Sequence, residues 1–216
     1  MGYLTIKDEV SSEFEEKKSV FIGHAKRVYE EEDAKAFIDK IRGEHKEATH
    51  NVYAYIIGEN MGIQRYTDDG EPQGTAGVPV LDVIKKNGIT NTVVVVTRYF
   101  GGILLGKGGL VRAYSKGAAQ AIKEAGVVER VQGAALHIFI EYDLLGKVQY
   151  SCGQNSWHIE DTIYTDKVEI IILCTFELME DIKKEIVQVT SGKCSFEKDR
   201  EGYYFKIDNR LFMEEI

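Results

Sequence analysis

The chain has 216 residues, 44% of them hydrophobic, with 21 Gly, only 2 Pro and a formal net charge of −8. This length predicts one or two domains, and the aliphatic and aromatic content argues against a mainly disordered chain. No apolar run approaches the ~20 residues of a membrane span, the N-terminus MGYLTIKDEV is too polar for a secretory signal, and the acidity argues against indiscriminate binding to polyanions.

The opening residues alternate weakly, with Phe14, Val20 and Ile22 among charges, and predict one or two strands up to about Val28. Glu30, Glu31, Glu32 and Asp33 then open a helix, because acids suit the positive end of a helix dipole. Ala34, Phe37, Ile38 and Ile41 give that helix one apolar face. Residues 51–57, NVYAYII, read as a strand, and 58–74 as loop. A short helix is expected over 78–86, with Val80, Leu81 and Ile84 inward. The β-branched run Val93, Val94, Val95, Val96 marks a strand buried on both faces. RYFGGILLGKGG follows, and a helix is expected from about 109 to 125, closed by Gly126.

The pattern restarts near residue 129. Strands are expected at 134–140, 156–164, 167–176 and 203–207, with helices at 142–152 and 178–189. That order, β-α-β-β-α-β, is the ferredoxin-like split βαβ arrangement. The expected fold class is α+β, with domains 1–128 and 129–216. The link near 126–132 is expected to be open to proteases.

Charge divides along the same line. Residues 1–128 carry 17 Lys and Arg against 18 Asp and Glu, while residues 129–216 carry 10 against 17. Residues 83–123 contain no acid at all, yet hold Lys85, Lys86, Arg98, Lys107, Arg112, Lys116 and Lys123. An acidic chain with one wholly basic segment suggests a local anion-binding face.

The glycine-rich segment carries most of the chemistry. Strand, then Gly101, Gly102, Gly106, Lys107, Gly108, Gly109, then helix, is a phosphate-cradle layout, since N–H groups at a helix start attract anions. The Gly101-x4-Gly106-Lys107 spacing imitates a P-loop, but position 108 is Gly and lacks the magnesium-holding hydroxyl. The same glycines also suit a tight turn that lets the helix pack closely. At 100° per residue, Arg112, Lys116 and Lys123 fall within ~40° of one another. They lie opposite Leu110, Tyr114, Ala118, Ala121 and Ala125. The face is a phosphate-contacting surface or a solvated one. Asp68, Asp69 and Glu71 form a candidate acidic site, for magnesium or for acid–base work, although EF-hand spacing is absent. Capping of the turn is the other reading. His50 has no catalytic partner motif. The three cysteines are scattered, so no zinc site, no disulfide and no cofactor are expected.

Three ordered motifs carry a resemblance. ATHNVYAY (residues 48–55), TDDGEPQGTAGVPVLDVI (67–84) and RYFGGILLGKGGLVRAYSKGA (98–118) are similar to those of the IMPACT/YigZ family, in its bacterial two-domain form. The resemblance covers roughly residues 15–125, and the acidic second domain resembles the family's small C-terminal domain. It implies a first domain similar to the second domain of a small-subunit ribosomal protein. That fold contains a left-handed β-α-β crossover, against the usual rule. It implies a second domain similar to domains III and V of elongation factor G. Both likenesses point to translation, and eukaryotic relatives regulate an initiation-factor kinase by competing for its activator. No catalytic residue carries over.

Three functions are therefore set side by side. The first is a non-catalytic, cytoplasmic RNA- or ribosome-associated regulator. It would contact phosphates through Arg98, Lys107, Arg112 and Lys116, with backbone donors from residues 101–109. The second is a nucleotide-dependent or phosphate-ester enzyme with a metal-holding turn at Asp68, Asp69 and Glu71. The third is a protein-interaction regulator using the acidic second domain. A monomer or weak oligomer is expected, without membrane contact.

Overall fold

The computed structural model describes residues 2–214. These form two compact α+β units, Tyr3–Val128 and the residues from Glu129 onward.

The first unit runs β1 (Tyr3–Ile6), β2 (Val10–Glu16), β3 (Ser19–Arg27), α1 (Glu31–Glu44), β4 (His50–Ile57), β5 (Ile63–Thr67), α2 (Gly77–Lys86), β6 (Thr92–Tyr99) and α3 (Lys107–Ala125). An antiparallel sheet takes the order β2-β3-β6-β4-β5. Its centre is β6, whose four consecutive valines are fully buried. Val93 and Val95 pack with Phe37, Ile38 and Ile41 of α1. Val94 and Val96 pack with Val80 and Ile84 of α2 and with Leu110 and Tyr114 of α3. Helices therefore cover both faces of the strand, which is why its sequence lacks alternation. Each large aliphatic buried this way contributes roughly 1.5–3 kcal/mol.

Close approach of α3 to the sheet depends on two glycines. A side chain at Gly23 of β3 would meet the Gly117 carbonyl of α3 at 2.4 Å, and one at Gly117 would meet Val96 at 3.0 Å. α3 ends where Gly126 turns to φ +70° and its N–H bonds the Lys123 carbonyl.

The expectation of one or two opening strands is corrected to three, and β5 lies in the stretch read as loop. β5 (IQRYT) is an edge strand held by pairing with β4. Its residues are half-buried or exposed, so it has no apolar alternation to read.

The second unit runs β7 (Val127–Ile140), a 3-10 turn, α4 (Leu145–Gln154), β8 (Asp161–Tyr164), β9 (Val168–Thr175), α5 (Phe176–Thr190), β10 (Cys194–Ile207) and β11 (Arg210–Met213). Its strands pair antiparallel along β11-β10-β7-β9-β8. The element order is β-α-β-β-α-β with β11 added as an extra edge. Ile138, Ile170 and Ile172 of the sheet pack with Val148 of α4 and Ile182 and Ile186 of α5. Thr175 caps α5, accepting from the Leu178 N–H.

Two expectations change here. Residues 156–160 are not strand, so β8 is only four residues long. The stretch expected to be an open link is strand. β7 begins at Val127, and its Glu129 and Arg130 pair with Lys206 and Phe205 of β10. Backbone held in a ladder is a poor protease substrate.

Candidate functional site

After β6 the chain loops through residues 100–106 and enters α3. The root of the loop is seated on the β2–β3 turn. The Gly101 N–H donates to Ser19 Oγ at 3.2 Å. A side chain at Gly101 would stand 1.9 Å from the Lys18 carbonyl oxygen. Gly102 and Gly106 are required by their backbone, with φ of +83° and +71°. Gly106 is the residue before α3, and its ψ of 165° places it in a region essentially confined to glycine.

Gly108 is different. Its φ is ordinary, and an added Cβ would meet nothing nearer than Arg112 Nη1 at 3.8 Å. A glycine in a helix costs about 1 kcal/mol relative to alanine, and here no packing explains it. The start of α3 has no side-chain cap and no acid in its first turn. Its N–H groups and dipole are thus free to attract an anion. Lys107, Gly108, Arg112 and Lys116 are all exposed. Lys17, Arg112 and Lys116 share a concavity of about 230 Å³ with Glu16. The Lys116 ammonium lies 4.2 Å from the Phe14 ring centroid. The apolar side of α3, with Leu110, Tyr114, Ala118, Ala121 and Ala125, is buried.

Arg98 stands apart from these cations. It is only 5% exposed and its Nη1 donates to Glu71 Oε1 at 2.6 Å. Its guanidinium lies 5.5 Å from the ring centroid of Phe21 and 5.4 Å from that of Phe100. The structure thus gives Arg98 an internal partner, and it positions the loop root instead of presenting charge to solvent.

The acidic turn is likewise committed to the fold. Asp68 Oδ1 accepts from the N–H groups of Ala76 and Gly77, and its Oδ2 from Gly74, fastening the start of α2. Asp69 Oδ2 accepts from the Asn51 N–H at 2.6 Å, and its Oδ1 from Arg42 at 3.1 Å. Glu71 Oε1 also accepts from the Tyr114 hydroxyl at 2.7 Å. Burial, with Glu71 beside it, pushes the Tyr114 hydroxyl well above the usual tyrosine range. Among the described residues no group of three or more His, Cys, Asp or Glu is arranged to hold a metal ion.

Sequence reasoning missed two members of this cluster. His50 donates from Nδ1 to the Asp69 carbonyl at 2.7 Å and turns Nε2 toward Glu71 Oε1 at 3.8 Å. In the sequence Tyr114 reads as part of an apolar helix face. A tyrosine among alanines there was the available signal, since a buried hydroxyl needs a partner. Trp157 packs against the core of the second unit. The three cysteines are free, and burial pushes the thiols of Cys152 and Cys174 up to about 11 and about 12. No helix among the described residues is long and apolar enough to cross a membrane.

The site separates two glycine substitutions. Gly101→Ala is expected to lose at least ~1–3 kcal/mol through overpacking against the Lys18 carbonyl. Gly108→Ala should instead gain up to ~1 kcal/mol in helix propensity. Thermal melting of both variants checks this. Equal melting temperatures would contradict the seating of the loop.

Residues 17–122 match the Impact N-terminal domain, and residues 138–193 match a domain of unknown function, DUF1949. The chain is 40% identical to the IMPACT family member YvyE of Bacillus subtilis, over 97% of each chain. It is 38% identical to the IMPACT family member YigZ of Escherichia coli, over 68% of this chain and 74% of that one. The crystal structure of a hypothetical protein superposes with a TM-score of 0.59 at 30% identity, over 90% of this chain and 96% of that chain. Paired domains, matched nearly end to end, establish that the chain belongs to the IMPACT family.

Proposed function

We propose that this protein is a non-catalytic, cytosolic regulator of translation that associates with RNA or the ribosome and holds phosphates on the first half of α3. The observation that carries the reading is the start of that helix. It is uncapped and acid-free, has at its second position an exposed glycine that packing does not require, and carries exposed Lys107, Arg112 and Lys116. Backbone donors and point charges of this kind recognise phosphate without reading sequence. An enzyme with a metal-holding turn is disfavoured. Asp68, Asp69 and Glu71 already serve the α2 start, the Asn51 backbone and Arg98.

The test is binding to a short single-stranded RNA across a salt series. Three phosphate contacts on a single strand give a log–log slope of about −2. Arg112→Glu with Lys116→Glu should cut the slope to about a third and weaken binding at every salt concentration. Both side chains are exposed, so each change should leave stability within ~0.5 kcal/mol. An unchanged slope in a folded double variant would refute the surface.

A further inference from the structure

The turn between β2 and β3 carries residues that its backbone does not favour. Glu16 pairs with Ser19, so the loop consists of Lys17 and Lys18 alone. Both have positive φ, +48° and +64°. Two-residue hairpin loops with both φ positive favour Asn-Gly, because a long L side chain crowds its own backbone in the left-handed region. Two consecutive lysines therefore hold strain that the hairpin does not require. Strain of this kind persists where the side chains serve something other than the fold.

No internal contact accounts for the two side chains. Both are exposed, and among the described residues neither ammonium takes part in an ion pair or hydrogen bond. Lys17 lines the concavity of about 230 Å³ together with Arg112 and Lys116. Glu16 lines it too, yet pairs with none of these cations. Three cations from two separate elements thus share one small space with a single carboxylate. The turn is also seated against the loop that leads into α3. Ser19 Oγ accepts from the Gly101 N–H, and the Lys18 carbonyl leaves no room for a side chain at Gly101.

We infer that the β2–β3 turn is a second arm of the phosphate surface, on which Lys17 and Lys18 contact the RNA strand held by α3. The inference rests on the phosphate-binding reading and adds an element outside the basic segment 83–123. Unpaired ammonium groups are free to replace the counterions of the strand. The strained turn holds them beside Arg112 and Lys116, so that one strand meets both elements.

The experiment uses Lys17→Asn combined with Lys18→Gly. This variant gives the turn the residues its backbone favours and removes both charges, while the residue-18 carbonyl that seats Gly101 remains. It should melt about 2–4 °C higher than the wild type, the shift that relief of such strain gives in a chain of this size. It should also bind octauridylate more weakly. Each lost contact flattens the log–log salt slope by about 0.7 and weakens binding about fivefold in ~0.1 M salt, so the loss of both comes to roughly 25-fold. Stability and binding then move in opposite directions, as they do where function is served at the expense of the fold. Lys35→Asn is the control. It removes an exposed charge from α1, on the other face of the sheet, and should leave affinity within about twofold of the wild type. A turn variant that melts higher but keeps the wild-type affinity and slope would overturn the inference and leave the α3 surface standing. One that melts lower would overturn it by removing the premise of strain. A wild-type protein that does not bind octauridylate would overturn both readings.

Discussion

Glu71→Ala is expected to destabilise the protein by about 3–5 kcal/mol, the cost of stripping one partner from a buried ion pair. Arg98 and Glu71 are both buried, and one carboxylate oxygen serves the Arg98 guanidinium and the Tyr114 hydroxyl together. Removing the carboxylate leaves a buried cation beside the rings of Phe21 and Phe100, with a long hydrogen bond to Ser19 Oγ at 3.5 Å. Arg98→Ala should cost a similar amount by stranding the anion. Glu71→Leu combined with Arg98→Met should recover much of the loss, since a buried pair and an apolar replacement of equal volume are often equivalent in stability. Urea unfolding of the four proteins checks this. A Glu71→Ala protein as stable as the wild type would show that the pair does not hold the loop root.

The two units should respond to pH in opposite directions. His24, 3% exposed, lies on β3 between Ser11 and Thr97. Burial, helped by the neighbouring His45 and Lys40, holds its pKa down to about 4. The unfolded chain, with an ordinary histidine near 6.5, binds the extra proton first. Stability is therefore full above about pH 6.5 and falls as the pH drops toward 4, by up to about 3 kcal/mol. His137 in the second unit behaves in reverse. Burial opposes its protonation, but hydrogen bonds to Glu169 at 2.5 Å and Asp199 at 2.8 Å outweigh that and raise its pKa. Its contribution is fully present below the unfolded value and is lost as pH rises through the folded one. Unfolding curves at several pH values, compared with His24→Gln and His137→Gln, separate the effects. The first variant should flatten the acid limb and the second the alkaline limb. A His24→Gln protein with an unchanged acid limb would contradict the assignment.

What the sequence displayed was periodicity, and what it concealed was partnership. α3 was legible because Leu110, Tyr114, Ala118, Ala121 and Ala125 recur on one side, and β6 because four valines stand in a row. β5 and β11 were not legible, since edge strands are held by backbone pairing that leaves little trace in side-chain pattern. The acidic turn was ambiguous for a physical reason. A carboxylate that fastens a helix start and one that holds a cation are the same residue until its partners are known. For Asp68 those partners are N–H groups six to nine residues further along. Arg98 reads as a surface cation only while Glu71, 27 residues earlier, is left out. Arg112 and Lys116 needed no distant partner to be placed, because opposing an apolar stripe is enough to put them outside.

The phosphate-binding claim is tested most directly by sedimentation of the protein with ribosomes through a sucrose cushion at low salt. The wild-type protein should pellet with the ribosomes and be released as salt is raised, because counterion release drives contacts of this kind. The Arg112→Glu and Lys116→Glu double variant, with an unchanged melting temperature, should stay in the supernatant throughout. A double variant that pellets with ribosomes as fully as the wild type, or a wild-type protein that never pellets with them, would contradict the account.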